Sequence, residues 1–243
     1  MDHGILRPFA GDVYHLAPIP IFYRVLDRPD LGEFHAALMT AATAAMEQRL
    51  LEVPDEKHAE DLGHAPPDWH PHSFTEAHPP AVGIWHCVPT NQFLDLEADA
   101  VRQLRRSIED AFVETVRVTS GSRVSATLTE SWIQLYRNGD RKVLHNHERY
   151  DPPPFEHMWA GAYYVDDGAP VENMKYSGLF SFRIRGENHF IRPKPGLLMM
   201  WPADLLHEVH PFYGERERVV INFNLHGPAR QGPLRKLIDR LRR

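Results

Sequence analysis

The sequence predicts an α+β, mainly β protein, a β-barrel with helices packed on one outer face. Three observations carry this expectation. Two segments with apolar spacings of three and four residues lie before residue 123. From Val124 onward, short runs of branched and aromatic residues alternate with turn signals, the pattern of a barrel or sandwich. Finally, 21 prolines favour turns and short strands over long helices. Helices first and strands afterwards place the helices together on one side of the sheet.

The elements follow in order. DVYHLAPIPIFYRVLD (11–26) reads as one or two strands. In 30–51, Leu31, Phe34, Leu38, Ala41 and Ala45 recur at helical spacing, with Asp30 as N-cap. Residues 52–92 hold seven prolines and six histidines with little periodicity and read as a long irregular excursion. A second helix is expected from about Asp95 to Val118, with Val101, Leu104, Ile108 and Phe112 on its inner face and Thr119–Ser122 ending it. The strand candidates are then VSATLTESWIQLYR, AGAYYVDD, SGLFSFRI, HFIRP, GLLMMWP and RVVINFNLH. The tail PLRKLIDRLRR reads as a short basic amphipathic helix that packs Leu234, Leu237 and Leu241 on the domain, with contact to an acidic surface or a partner as the alternative. The whole is expected to be one domain, with 1–123 N-terminal, 124–227 the β core and 228–243 the C-terminal helix.

Composition excludes several classes. At 42% hydrophobic and 25% charged the chain is that of a soluble globular protein. No apolar run approaches 18 residues, and the first residues lack a signal-peptide pattern. A single cysteine, Cys87, forms no internal disulfide, so a reducing cytoplasm is expected. A net charge of −6 argues against a nucleic-acid surface. The expected partner is a small molecule rather than nucleic acid or membrane; the oligomeric state, a homodimer included, is left open.

Two clusters carry chemistry, HNHE (145–148) and HEVH (207–210). In a strand, residues i and i+2 share a face, so His145 and His147 can approach one ion together. His207 offers a third ligand from a later strand. Three-ligand sites with open positions suit non-haem iron oxygenases, where substrate and dioxygen also need room. His210 lies three residues from His207, on the other face of a strand. In WHPH (69–72) Pro71 separates the histidines and no third ligand is placed, so it reads as a loop. If Arg218 faces inward, so do Val220, Asn222 and Asn224. Asparagines on an inner barrel face need partners, since a buried unpaired amide costs about 1–3 kcal/mol.

The succession WIQLYRNGD (132–140), His145-Asn146-His147, AGAYYVDDG (160–168), SGLFSF (177–182), PGLLMMWPADLLHEVHP (195–211) and ERVVINFNL (217–225) resembles the double-stranded β-helix of Fe(II)/2-oxoglutarate-dependent oxygenases. The branch it resembles also opens with a segment like HLAPIPIFYRVL and carries a Trp-His pair, here Trp85-His86. The resemblance implies a jelly-roll or cupin-like barrel and a dioxygenase using Fe(II), 2-oxoglutarate and O2. It implies coupled decarboxylation of the 2-oxo acid to succinate and CO2, with hydroxylation of an unactivated C–H bond. His145 and His207 are then metal ligands. His147 stands where most such enzymes carry aspartate, with Asp151 or Glu148 as the alternative third ligand. Arg218, 11 residues after His207, would pair with the 5-carboxylate of 2-oxoglutarate, because a guanidinium holds a carboxylate with two parallel hydrogen bonds. Tyr136, Asn222 and Asn224 are candidate cosubstrate contacts; Tyr136 reads equally as a core tyrosine. DPPPFEHMW (151–159) would form a stiff rim, with Phe155, His157 or Trp159 near substrate. GDRKVLHNH also resembles the first cupin motif, which keeps open a three-histidine dioxygenase without 2-oxoglutarate. A non-catalytic metal-binding barrel is the third reading.

Overall fold

A computed structural model describes residues 7–10, 13–16, 19–52, 85–86, 92–121, 123–147 and 158–227. The expected rim residues Phe155 and His157, the alternative ligands Glu148 and Asp151, the WHPH segment and the basic tail lie outside them.

Three strands open the chain, β1 (Arg7–Ala10), β2 (Val13–Leu16) and β3 (Ile19–Val25), and helix α1 spans Leu31–Glu52. At its start the Asp30 carbonyl accepts the Phe34 N–H at 2.9 Å. The Asp30 carboxylate receives two hydrogen bonds from Arg28, at 2.9 and 2.8 Å. Among its described side chains α1 buries Phe34, Leu38 and Ala42; the expected Ala41 and Ala45 sit at the stripe's margin. Two residues of the long excursion, Trp85–His86, form β4 and pair with Leu135 and Gln134.

Helix α2 spans Asp99–Ser120 and buries Val101, Leu104, Ile108 and Phe112 completely. Burial of four such side chains stabilises by roughly 1.5–3 kcal/mol each, as an upper bound. The helix begins four residues later than its apolar spacing predicts. Phe93–Asp95 forms a separate 3₁₀ turn, because Phe93 and Leu94 are buried against the sheet and the Leu94 N–H donates to Ser131 Oγ at 2.8 Å. Gly121, at φ +69°, takes the left-handed conformation that ends the helix.

The remaining strands are β5 (Thr127–Tyr136), β6 (Lys142–His145), β7 (Met158–Asp166), β8 (Phe180–Ile184), β9 (Glu187–Ile191), β10 (Leu197–Pro202), β11 (His207–Val209) and β12 (Arg218–His226). They form a large sheet, β1-β2-β3-β10-β7-β12-β5-β4, and a small one, β6-β11-β8-β9. Among the described residues every pairing between these strands is antiparallel. This is the double-stranded β-helix, mainly β, with both helices on the outer face of the large sheet.

Alternation along the strands sorts side chains into two cores. On the helix side, Ile133, Trp159, Tyr163, Leu198, Met200, Ile221, Phe223 and Leu225 pack with α1 and α2. Between the sheets, Tyr164, Phe180, Phe182, Met199, Trp201 and Phe212 make a second cluster. Gly161 lies on the helix side, where a Cβ would meet the Phe223 ring at 2.3 Å and the Met199 carbonyl at 2.7 Å.

Candidate metal centre

The small sheet brings the histidines together. On neighbouring antiparallel strands β6 and β11, His145 and His207 are direct partners. His147 lies beyond the end of β6, so its position does not come from strand alternation. Its backbone N–H instead donates to the Ala203 carbonyl at 2.8 Å, which turns the chain so that its ring joins the other two. One ligand atom from each of the three histidines lies within 4.8 Å of the others.

Each ring has its Nδ1 engaged by an acceptor. His145 Nδ1 lies 2.8 Å from the Val143 carbonyl, His207 Nδ1 lies 2.9 Å from the Leu205 carbonyl, and His147 Nδ1 lies 2.5 Å from Asn224 Oδ1. A carbonyl only accepts, so Nδ1 carries the proton in all three, and Nε2 is the free lone pair. The orientation of Asn224 follows from its other end, where Nδ2 donates to Glu130 Oε2 at 2.8 Å. The Nε2 atoms of His145 and His147 approach to 3.3 Å. Burial and the neighbouring positive groups lower the pKa of His145 to about 4 and that of His207, only 3% exposed, well below the ordinary value. Neutral imidazoles with fixed tautomers and converging lone pairs fit a divalent transition metal, and three ligands leave further positions open.

A cavity of about 300 Å³ extends from the histidines, lined among others by Trp132, Gln134, Tyr136, Lys142, Phe180 and Trp201. Phe180 stacks on His207 with ring centres 5.5 Å apart, and Trp201 meets the same ring edge-on at 4.9 Å. The opposite wall is a row from β5 and β12, whose register pairs Tyr136 with Arg218, Trp132 with Asn222 and Glu130 with Asn224. Gln134 Oε1 accepts from Tyr136 Oη at 3.0 Å and from Asn222 Nδ2 at 2.8 Å. Burial raises the pKa of Tyr136, so its hydroxyl stays a donor.

Arg218 is 1% exposed and sits at the end of this row, outside the cavity lining. Its guanidinium carbon lies 5.0 and 4.9 Å from the ring centres of Tyr136 and Tyr164. Nη1 donates to the Gly178 carbonyl at 2.6 Å, while Nε is buried with no hydrogen-bond partner. Among the described residues no carboxylate pairs with it. A cation buried in this way is costly until an anion joins it. The indole N–H of Trp201, on the cavity wall, is also buried without a partner.

The structure thus gathers His145, His147 and His207, with Tyr136, Asn222 and Asn224 on the cavity wall. Asn224, a candidate cosubstrate contact, lines the cavity and bonds to His147 and Glu130. Trp159, expected at the rim, is a correction: it points to the helix side, where it meets Phe112 edge-on at 6.5 Å, because its position in β7 shares a face with Tyr163 and Val165. His210 lies off the cluster, with Nε2 3.0 Å from Ser181 Oγ. Sequence reasoning missed Glu130 and Gln134, although alternation from Trp132 and Tyr136 points to both. It missed Lys142, which a strand irregularity turns inward. It also missed Gly178, at φ +60°, where a Cβ would come within 3.0 Å of the Arg218 guanidinium.

Among solved structures the chain is similar to a Pseudomonas putida prolyl-4-hydroxylase, at 17% identity and TM-score 0.52, covering 87% of this chain and 95% of that one. It is also similar to SnoK, a non-haem α-ketoglutarate-dependent carbocyclase from nogalamycin biosynthesis, at 13% identity and TM-score 0.52, covering 90% and 86%. A Burkholderia pseudomallei oxidoreductase of the 2OG-Fe(II) oxygenase family aligns at 14% identity and TM-score 0.41, over 56% of this chain and only 64% of its own length. At these identities the likeness to the first two speaks for the fold alone. Among curated proteins, none matches the sequence. A family model described as "Putative 2OG-Fe(II) oxygenase" matches residues 130–224. That family implies Fe(II), 2-oxoglutarate and O2 as cofactors. The matched span begins at Glu130 and closes at Asn224, the hydrogen-bonded pair behind His147, so that it contains the whole histidine cluster, and over these residues the chain is similar to that family.

Proposed function

We propose that the protein is an Fe(II)/2-oxoglutarate-dependent dioxygenase that oxidises, most simply by hydroxylation, an unactivated C–H bond of a small organic molecule. The convergence of three Nδ1-anchored histidines at a partly aromatic cavity carries the reading. His145, His147 and His207 would hold the iron through Nε2. Arg218 would pair with the distal carboxylate of the cosubstrate, with Tyr136 and Asn222 between it and the metal. Bound iron and 2-oxoglutarate supply the oxidising power, one oxygen atom of O2 going to succinate and the other to the substrate. The chain's own part is orientation and dryness. The backbone carbonyls and Asn224 fix the ring orientations, Phe180 and Trp201 shield one side of the cluster, and the Gln134 pair of hydrogen bonds holds the opposite wall.

The test loads the protein with Fe(II) without oxygen, adds 2-oxoglutarate and air, and measures succinate with and without candidate substrates. Succinate formation that depends on iron and 2-oxoglutarate supports the reading. A second reading, a three-histidine dioxygenase without 2-oxoglutarate, is favoured by the imidazole in the carboxylate's place and by Arg218 lying outside the cavity lining. It predicts O2 consumption with substrate alone. Metal titration of His147→Ala against Asp151→Ala decides the third ligand: loss in the first variant alone supports His147.

A further inference from the structure

One charged side chain in the cavity is left without a role by the reading above. The pairing of β6 with β11 is irregular: His207 faces His145, but Val209 faces Lys142. Two residues of β6, Val143 and Leu144, therefore stand opposite Glu208 alone. Such a bulge re-aims side chains. In a regular strand, Lys142 and His145 would point to opposite faces. Here both line the cavity, while Val143 and Leu144 are 61% and 39% exposed. The irregularity thus spends two apolar residues on the surface and brings an ammonium group beside the histidines.

Among the described residues Lys142 has no carboxylate partner. The other charged cavity residue, Glu130, receives the Asn224 amide at 2.8 Å. Burial lowers the Lys142 pKa, and no acidic group is among the causes that act on it. A three-imidazole ligand set brings no negative charge, so a divalent metal there would add to the positive field instead of relieving it. A protonated lysine held beside such a centre is stabilised when an anion enters.

We propose that Lys142 is the recognition point for an anionic group, a carboxylate or phosphate, on the primary substrate. This rests on the oxygenase reading above in one respect: Arg218, at the other end of the inner row, is assigned to the cosubstrate, which leaves Lys142 for the second anion. Lys142 lines the cavity, and the next two residues of β6, Val143 and Leu144, are exposed. A lysine acts as a point charge and accepts either oxyanion, so the probes must separate the two.

The experiment uses protein loaded with Co(II) and 2-oxoglutarate, titrated with acetate, inorganic phosphate or neutral acetamide. Binding is read from the paramagnetic relaxation of the probe's ¹H or ³¹P signals. Acetate or phosphate is expected to bind and acetamide is not, and whichever anion binds more tightly names the class. Lys142→Met should weaken the anion at least tenfold and Lys142→Arg by less than about threefold. Neither should change the affinity for Co(II) or 2-oxoglutarate more than twofold. Equal anion binding by wild type and Lys142→Met overturns the proposal, as does a variant that loses 2-oxoglutarate instead, since Lys142 would then serve the cosubstrate. If the protein takes up neither Co(II) nor 2-oxoglutarate, the oxygenase reading fails separately. The lysine is then judged in the metal-free protein, by trinitrobenzenesulfonate labelling read at Lys142 by mass spectrometry. Protection by acetate or phosphate but not by acetamide sustains it, and labelling unaffected by either anion overturns it.

Discussion

Strands β5 and β12 present opposite chemistry on their two faces. Ile133, Val219, Ile221, Phe223 and Leu225 pack beneath the helices. Alternating with them, Glu130, Trp132, Gln134, Tyr136, Asn222 and Asn224 line the cavity. The interior of a small barrel is ordinarily filled with apolar side chains. Here this wall of the interior is polar and the outer face is apolar. The polar wall is tolerable because its members bond to one another, in two short chains: Tyr136 and Asn222 to Gln134, and Glu130 through Asn224 to His147. Stability and binding are thereby assigned to alternate residues of the same backbone. Neighbouring substitutions should have unlike consequences.

The largest effect is expected at the metal. His207→Ala should abolish succinate formation while leaving the far-ultraviolet circular dichroism unchanged. Wild type at Co(II) one hundred times its Kd should gain about 2.7 kcal/mol, or roughly 5–10 °C in Tm for a chain of this size. The variant should show no such shift; a retained shift would place the metal elsewhere. Next comes Arg218, at the end of the polar row. Arg218→Ala should raise the Kd for 2-oxoglutarate a few hundredfold to a few thousandfold, corresponding to about 3–5 kcal/mol, and Arg218→Lys by less. Calorimetric titration of the zinc-loaded protein measures this without turnover. Unchanged 2-oxoglutarate binding would favour the dioxygenase that does without it.

The two adjacent residues Phe223 and Asn224 sharpen the contrast. Phe223 is fully buried on the helix side. Phe223→Ala should destabilise by about 3–5 kcal/mol and lower Tm by roughly 10 °C, with metal affinity per folded molecule unchanged. Asn224→Ala should do the reverse: it leaves His147 Nδ1 without its acceptor, and should weaken Co(II) about 10–100-fold with a small change in Tm. A variant of Asn224 that unfolds without altering metal affinity would make it a structural residue only.

Much of this was legible in the sequence where one periodicity governs one element. The α2 stripe, the alternation along β12 and the inward set of Arg218, Asn222 and Asn224 all follow from period alone. What alternation could not supply came from irregularity. His147 reaches the cluster through a backbone bond to Ala203 past the end of a strand. Lys142 reaches it through a bulge. An isolated sequence shows an inward asparagine at Asn224 but not its bonds to Glu130 and His147. Trp159 was misplaced because the proline-rich segment before it suggested a rim, whereas the strand register of β7 turns it to the helices.

Asp140 tests a buried polar group that, unlike the cavity row, waits for no ligand. It lies in the turn between β5 and β6, which carries the chain from the large sheet to the small one. Its carboxylate accepts the Arg137 N–H at 2.7 Å, and its carbonyl accepts the Phe212 N–H at 2.9 Å. Burial raises its pKa to about 6, against the partial opposition of that backbone donor. The side chain is almost wholly buried. A carboxyl group whose pKa is higher folded than unfolded holds its proton more tightly in the folded state. Its contribution to stability is therefore greatest below the unfolded pKa near 4 and is lost as pH rises through about 6. The loss should be about 1–2 kcal/mol after allowance for screening. Asp140→Asn keeps an oxygen acceptor for the Arg137 N–H and removes the titration. Metal-free wild type and variant should differ little in urea stability at pH 4, and the variant should be the more stable by that amount at pH 7.5. Equal pH dependence in the two proteins would show that the Asp140 carboxylate is better solvated, or better held by its turn, than its burial suggests.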